Sequence, residues 1–221
     1  MVFDIITIFP KILDSYFSES ILKRAQKNGL IKIKTHNLRD FTLDKHHKVD
    51  DTPYGGGPGM VFKADVIDRA VNKIIRQSAN KAKKIKSRTI LFSLRGKKFD
   101  SEIAKRLSKY DQLVLICGRY EGVDERVAKY IADEEISIGD FVLSGGELAA
   151  GVLADAVSRF IPGVLGKLES LEEIKGSYPV YTKPEILKLG GKIGKLKVAK
   201  VPDVLLSGNH KKIEEWRSNH E

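Results

Sequence analysis

The chain has 221 residues, of which 42% are hydrophobic and 31% charged, as is typical of a soluble globular protein. Its single cysteine, Cys117, excludes an intramolecular disulfide and a cysteine-based zinc site, and indicates a reducing compartment, most simply the cytoplasm. The sequence has no apolar run long enough to span a bilayer, and the formal net charge of +10 favours a polyanionic partner.

Five stretches rich in β-branched or aromatic residues are predicted strands, at residues 2–9, 31–36, 89–93, 112–117 and 135–138. Helical patterns alternate with them, at residues 20–27, 63–77, 100–108, 123–130 and 145–160. This alternation predicts an α/β fold with a mostly parallel sheet covered on both faces. The first stretch carries an acid and no basic region, so it is interpreted as a strand and not as a signal peptide.

A glycine-rich loop at residues 50–60 reads DDTPYGGGPGM. It lacks the Gly-Lys-Ser/Thr ending of a phosphate-binding loop. It is either a flexible connection or a loop whose paired aspartates hold the edge of a base, since carboxylates accept from amino and ring N–H groups. His46 and His47 nearby lack a third ligand at fixed spacing, so no metal site is predicted.

Basic residues dominate the segment that follows. Between Asp68 and Asp100 the sequence has no acidic residue but eleven lysines and arginines. A solvated, mobile basic loop at residues 78–88 and a contact with RNA explain this pattern equally well.

Two predicted strands end in further glycine loops. Residues 113–122 read LVLICGRYEG, and residues 136–148 read ISIGDFVLSGGEL before an Ala-rich helix. Such loops bend sharply and expose bare backbone amides and carbonyls. Because ligands of α/β proteins bind at the carboxyl ends of parallel strands, the two loops together predict a ligand site.

The character of the chain changes after Pro162, where charged and glycine-rich segments follow. We expect a main domain over residues 1–165, a linker over residues 166–177 and a short C-terminal region over residues 178–221. Asn209 is the predicted N-cap of a final short helix that ends near Trp216.

Long stretches in order along nearly the whole chain resemble the bacterial tRNA (guanine-N1)-methyltransferases, S-adenosylmethionine enzymes of the knotted SPOUT class. They are residues 3–10, 50–60, 117–127, 136–149, 155–166, 178–184 and 201–217. The resemblance implies a SPOUT-type parallel sheet with a deep trefoil knot, and a homodimer whose active sites are each completed by the partner chain. It implies methylation of tRNA in the anticodon stem-loop, on N1 of the guanosine at position 37, just 3′ of the anticodon.

The resemblance also implies roles for individual residues. S-adenosyl-L-methionine would be held, largely through backbone groups, by Gly118, Tyr120, Glu121, Ile138, Gly139, Asp140, Phe141, Val142, Leu143, Gly145 and Gly146. Asp50 and Gly59 would hold the target guanine, and Arg159 would meet the negative charge that develops on its O6. For Arg159, a cation that complements the helix dipole is the structural alternative.

One departure from the family concerns the base that removes the N1 proton. The family's acid lies two positions before the first proline of Pro-x-Tyr-Thr-Arg-Pro; that motif is PVYTKP at residues 179–184, and the matching position is Ser177. Serine has no useful basicity. Glu173 or Glu172 is therefore the hypothesised base, with Glu169 and Asp50 as further candidates.

Two other departures affect binding. Residues 93–96 read SLRG where the family typically has Ser-Pro-Gln-Gly beside the adenosine, so Arg95 would place a charge near the cofactor or point to solvent. The family usually continues past residue 217 into further helices that help grip tRNA. For this shortened C-terminal region we expect either that the basic region at residues 63–88 compensates or that tRNA binding is weaker. Two other functions stay open: methylation of another RNA, and a non-catalytic RNA- or cofactor-binding protein.

Overall fold

The computed structural model describes residues 1–78, 85–166, 176–190 and 196–220. The chain divides into two compact units, Met1–Gly166 and Lys167–Glu221. No helix within the described ranges is long and apolar enough to cross a membrane.

The strands are β1 (Val2–Thr7), β2 (Lys32–Asn37), β3 (Asp50–Asp51), β4 (Val61–Phe62), β5 (Ser87–Lys98), β6 (Gln112–Ile116), β7 (Glu134–Ser137), β8 (Ile186–Gly190) and β9 (Leu196–Lys200). The helices are α1 (Asp14–Phe17), α2 (Ser20–Lys27), α3 (Ala64–Ser78), α4 (Ser101–Leu107), α5 (Glu125–Tyr130), α6 (Glu147–Arg159), α7 (Asp203–Leu206) and α8 (His210–Ser218), with a 3₁₀ turn at Leu38–Phe41.

Five parallel strands form the central sheet of the first unit, in the order β2-β1-β6-β5-β7. This sheet confirms the predicted α/β class. The trefoil knot stays a prediction.

Helices cover both faces of the sheet, because successive side chains of a strand point to opposite sides. In β6, Leu113 and Leu115 pack into a core that includes residues of α2, α4 and α6. Val114 and Ile116 pack into a second core with residues of α3 and α5. A strand buried on both faces reads as a continuous apolar run, which is why the sequence pattern located it.

The predicted strand at residues 89–93 is too short, because β5 extends to Lys98. Phe92 and Lys97 both lie opposite Ile136 of β7, so residues 93–96 loop out of the sheet as a bulge. Gly96 makes this geometry possible, since a Cβ there would lie 2.6 Å from the carbonyl carbon of Glu135.

The second unit contains an antiparallel pair of strands, β8 and β9, which the sequence analysis did not predict because that stretch is rich in glycine and lysine. The predicted N-cap is confirmed: the Asn209 side chain accepts a hydrogen bond from the Lys212 amide at 3.2 Å.

Candidate active site

A cavity of about 500 Å³ lies beyond the carboxyl ends of β5, β6 and β7. Its walls are the β5 bulge, the loop after β6, the loop after β7 and the start of α5. Leu91, Ala128 and Ala149 contribute apolar surface to its lining. Cavities of this size, apolar with a few polar groups, are typical of small-molecule sites.

The two glycine loops of the sequence analysis lie against each other in this cavity. The Gly146 amide donates to the Gly118 carbonyl at 3.0 Å, and Gly145 forms a β-bridge with Arg119. A Cβ on Gly146 would lie 2.8 Å from the Cα of Cys117, closer than real side chains approach a backbone. Glycine is therefore required here for the loops to meet.

A buried ion pair joins the same two loops. The Arg119 guanidinium contacts the Glu147 carboxylate at 3.0 Å, and the Thr7 hydroxyl donates to Glu147 Oε1 at 2.6 Å. The Glu147 side chain is only 2% exposed. The guanidinium also stacks 4.7 Å above the Phe9 ring. Beside this pair, burial raises the pKa of the Cys117 thiol well above its usual range, so Cys117 is an inert core residue.

The loop at residues 50–60 approaches the cavity through β4. The Glu121 amide donates to the Met60 carbonyl at 3.1 Å, and the Phe62 amide donates to the Gly122 carbonyl at 3.1 Å. Gly59 packs directly on the Glu121 side chain, and its φ of +79° is one that glycine adopts without strain. The structure thus brings a predicted substrate-binding residue against a predicted cofactor-binding residue.

Tyr120 has a φ of +59°, in the left-handed region that non-glycine residues rarely adopt. Its ring packs edge-to-face on Phe62 with centroids 5.6 Å apart. Backbone strain of this kind costs on the order of 1–3 kcal/mol and concentrates at functional sites, which is consistent with Tyr120 lining the cavity.

The predicted cofactor-binding residues converge on the cavity. Ten of the eleven line it, the exception being Asp140, whose carboxylate pairs with Lys98. Asp50 lies in β3 and is partly buried. Arg159 is the last residue of α6 and does not line the cavity. Glu169, Glu172 and Glu173 lie outside the described residues.

Three glutamates and two arginines give the cavity its charge: Glu121, Glu125, Glu135, Arg95 and Arg119. Arg95 pairs with Glu125 at 2.6 Å. This hydrogen bond lowers the pKa of the Glu125 carboxyl and raises the pKa of Arg95. Because Arg119 is neutralised by Glu147, the cavity retains an excess of negative charge that suits a cationic ligand. Among the described residues, no group of three or more His, Cys, Asp and Glu side chains could hold a metal ion.

A parallel α/β sheet with a glycine-lined cavity at its strand ends defines the class of α/β proteins that bind a small ligand at this edge. A family model described as tRNA (Guanine-1)-methyltransferase TrmD matches residues 1–221, and the chain belongs to this family. Relatives named tRNA (guanine-N(1)-)-methyltransferase include proteins of Dehalococcoides mccartyi, 48% identical, and Thermomicrobium roseum, 49% identical. Each match covers 98% of this chain, and 84% and 77% of the respective relative.

The family uses S-adenosyl-L-methionine as methyl donor, and the residues present fit it. Among the described residues, the backbone groups of residues 141–143 make no hydrogen bond, so they are available to a ligand. The Glu121 carboxylate suits the positively charged sulfonium. The residues that would hold this donor are 118–122, 138, 139 and 141–146, which line the cavity.

Sequence reasoning missed Glu125, Ala128, Glu135 and Glu147. Glu125 and Ala128 belong to a short helix whose first turn reaches the cavity only in the folded chain. Glu135 was assigned to a strand, whose pattern gives no sign of a binding role.

Replacing glycine by alanine should affect ligand binding differently at Gly146 and at Gly151. We expect Gly146→Ala to weaken binding of S-adenosylhomocysteine by at least roughly 10-fold, since the Cβ collides with backbone and each tenfold loss is about 1.4 kcal/mol. Gly151→Ala, in the same helix, is the control: its Cβ would lie 3.7 Å from Leu13 methyl carbons. That change should retain affinity and stabilise α6 by up to about 1 kcal/mol. Calorimetric titration and thermal unfolding measure both; equal affinities for the two variants would contradict the collision.

Proposed function

We propose that this protein transfers a methyl group from S-adenosyl-L-methionine to N1 of guanosine 37 of tRNA, the nucleotide 3′ of the anticodon. The observation that carries the proposal is the hydrogen-bonded meeting of two glycine loops around a negatively charged cavity, in a chain that belongs to the family over residues 1–221. A cytoplasmic location stays a prediction.

When bound, S-adenosylmethionine supplies an electrophilic methyl group on a positively charged sulfur. The protein's own residues must supply the rest. Guanine N1 carries a proton at neutral pH, so a base has to remove it as N1 attacks. Negative charge then develops on O6, and a guanidinium aimed at that oxygen lowers the barrier; we assign this role to Arg159.

The guanine is proposed to bind beside the loop at residues 50–60. Gly59 abuts Glu121 at the cavity, and Asp50 pairs with Phe62 in the antiparallel ladder of β3 and β4. This ladder places the Asp50 carboxylate on the same short element that the Glu121 and Gly122 backbone anchors. A carboxylate there can accept from the amino and N1–H edge of guanine.

Arg159 lies too far along α6 to act in the cavity of its own chain. Twelve residues separate it from Glu147, a rise of about 18 Å at 1.5 Å per residue. It shares one helical face with Leu148, Val152 and Asp155, spaced four, three and four residues apart. Leu148 and Val152 are 59% and 48% exposed, in contrast to the buried opposite face.

This exposed face continues onto Phe9, Ile12 and Tyr16, which are about half exposed. Tyr16 donates a hydrogen bond to Asp155, which raises the pKa of the Tyr16 phenol and joins the two segments. Contiguous exposed apolar residues mark an interaction surface. We propose that a second copy of the chain covers this face, so that Arg159 of the partner subunit completes each active site.

The base is proposed to come from the glutamates that precede the C-terminal motif. Ser177, at the position of the family's acid, is exposed and has no useful basicity. Glu173 lies four residues before it in the sequence and Glu172 five. Ser177 also supports the second candidate function, a protein that binds cofactor and RNA without catalysis.

The substrate assignment is tested with unmodified tRNA transcripts. We expect methyl transfer from labelled S-adenosylmethionine to a transcript with guanosine at position 37, and transfer at least roughly 100-fold slower when adenosine replaces it, since its N1 carries no proton and its ring no O6. Nucleotide mapping of the product checks the position. Binding of the donor without transfer to any tRNA would instead establish the non-catalytic function, and methylation at another position the alternative RNA specificity.

The dimer is tested by placing a charge on the exposed face of α6. Val152→Asp should yield monomers and abolish methyl transfer, because the buried carboxylate would be unpaired. Leu43→Asp is the control, since Leu43 is 84% exposed outside this face, and should leave both properties unchanged. Sedimentation measures the oligomeric state. A Val152→Asp protein that stays dimeric and active would contradict the assigned interface.

Mixed dimers test which chain supplies Arg159. Neither Arg159→Ala nor Gly146→Ala homodimers should transfer methyl groups efficiently. Heterodimers of the two variants, made by co-expression, should regain one working site. In that site the Arg159→Ala chain supplies the intact glycine loops, and the Gly146→Ala chain supplies Arg159. Activity no higher than that of the separate variants would place Arg159 in its own chain's site.

The general base is tested by removing charge without changing shape. We expect Glu173→Gln to slow single-turnover methylation by about 100-fold, within the usual contribution of acid–base catalysis, while cofactor affinity is retained. Glu172→Gln and Asp50→Asn are the comparison variants. Normal rates for Glu173→Gln would transfer the role to whichever of the other two is slow.

A further inference from the structure

Glu135 lines the cavity with a carboxylate that accepts no hydrogen bond at its buried oxygen. Its side chain lines the cavity, and its Oε2 is buried from solvent with no hydrogen bond to any described residue. The closest cation in its salt bridges is Arg95, whose Nη2 lies 3.8 Å from Oε2. That distance permits attraction but is too long for a hydrogen bond.

Glu134, the neighbouring glutamate of β7, has a structural role, because its carboxylate is fully paired with arginines. Glu134 accepts from Arg106 at 2.7 Å and from Arg88 at 3.0 Å. Burial alone would raise the pKa of Glu134, but these hydrogen bonds outweigh it and lower the pKa. Because adjacent strand residues face opposite sides, Glu135 points away from these arginines and towards the cavity. A buried acceptor without a partner is costly, so a ligand donor that the carboxylate can turn towards would stabilise it.

Arg95 fixes the surroundings of this carboxylate. It lies in the β5 bulge, is 66% exposed, and donates a hydrogen bond to Glu125 of α5 at 2.6 Å. Its guanidinium therefore bridges two glutamates of the cavity lining. A second cation next to Glu135 would be repelled by Arg95, whereas a neutral N–H or O–H donor would not.

We propose that Glu135 accepts a hydrogen bond from a neutral donor on the adenosine half of S-adenosylmethionine, and that Arg95 is a positioning residue that orients this carboxylate. The proposal rests on the proposed function, which supplies the ligand. The adenosine half carries an exocyclic amine and two ribose hydroxyls, whereas the methionine half offers only a charged ammonium group. Leu91 and Ala128, which also line the cavity, suit the flat nucleoside.

Calorimetric titration with two ligands tests Glu135. Glu135→Gln and Glu135→Ala should bind both S-adenosylhomocysteine and methylthioadenosine, which lacks the amino acid, roughly 10- to 100-fold more weakly, as expected for a hydrogen bond to a charged group. Equal weakening with both ligands supports the adenosine assignment. Weakening confined to S-adenosylhomocysteine would assign Glu135 to the ammonium, and unchanged affinities would remove its role; either result overturns the proposal.

Ligand analogues identify the donor in the wild-type protein, independently of any folding defect. S-inosylhomocysteine lacks the amine, and the 2′-deoxy and 3′-deoxy forms of S-adenosylhomocysteine each lack one hydroxyl. One of the three should lose roughly 10-fold or more in wild type but lose nothing further in Glu135→Ala. Equal losses in both proteins for all three would overturn the proposal.

Arg126 offers a matched control for Arg95, since it is 65% exposed and pairs with Asp124 at 2.6 Å, but does not line the cavity. Arg95→Ala should weaken methylthioadenosine binding several-fold, Arg95→Lys should restore most of it, and Arg126→Ala should have no effect. Equal binding by Arg95→Ala and wild type would remove the positioning role. If wild type binds neither ligand, the proposed function itself fails; if wild type binds and the Glu135 variants match it, only this inference fails.

Discussion

The buried pair of Arg119 and Glu147 is the interaction on which the site depends. It joins the end of β6 to the first residue of α6, and Thr7 adds the end of β1 to the same carboxylate. Removing one partner of such a pair typically costs about 3–5 kcal/mol, because the other charge is left buried. The carboxylate also lies at the start of a helix, where the dipole favours negative charge. With these three segments fixed, Gly118 and Gly146 are held in contact.

The sequence predicted the parts of the structure that depend on local pattern. Apolar runs located the five strands of the central sheet, and glycine loops after β6 and β7 located the cavity, because both signals lie within a few consecutive residues. The sequence could not predict that Arg119 pairs with Glu147, since the two are 28 residues apart and many arginines and glutamates were available. Glu135 was missed for the same reason: its unpaired state depends on where Arg88 and Arg106 lie in the folded chain.

The β5 bulge shows how one backbone irregularity creates a binding wall. In a regular strand, residues 93–96 would continue the ladder with β7 and leave the strand ends flat. Because they loop out opposite Ile136, Arg95 reaches across to Glu125 and encloses one side of the cavity. Gly96 permits the close return to β7, whereas the predicted strand at residues 89–93 ended before it and gave no sign of the bulge.

The donor site and the base differ in how they depend on side chains. A site built from backbone groups requires glycine at close contacts such as Gly146 but tolerates many side chains elsewhere. Its glycines can therefore be recognised in the sequence. A general base is one carboxylate that must reach one proton, and any nearby acid that reaches it performs the same chemistry. A serine at residue 177 is therefore compatible with an active enzyme if a glutamate from the preceding residues enters the site. We propose that the geometry of the complex with tRNA decides which acid acts as the base, whereas the cavity is lined by residues of a single chain.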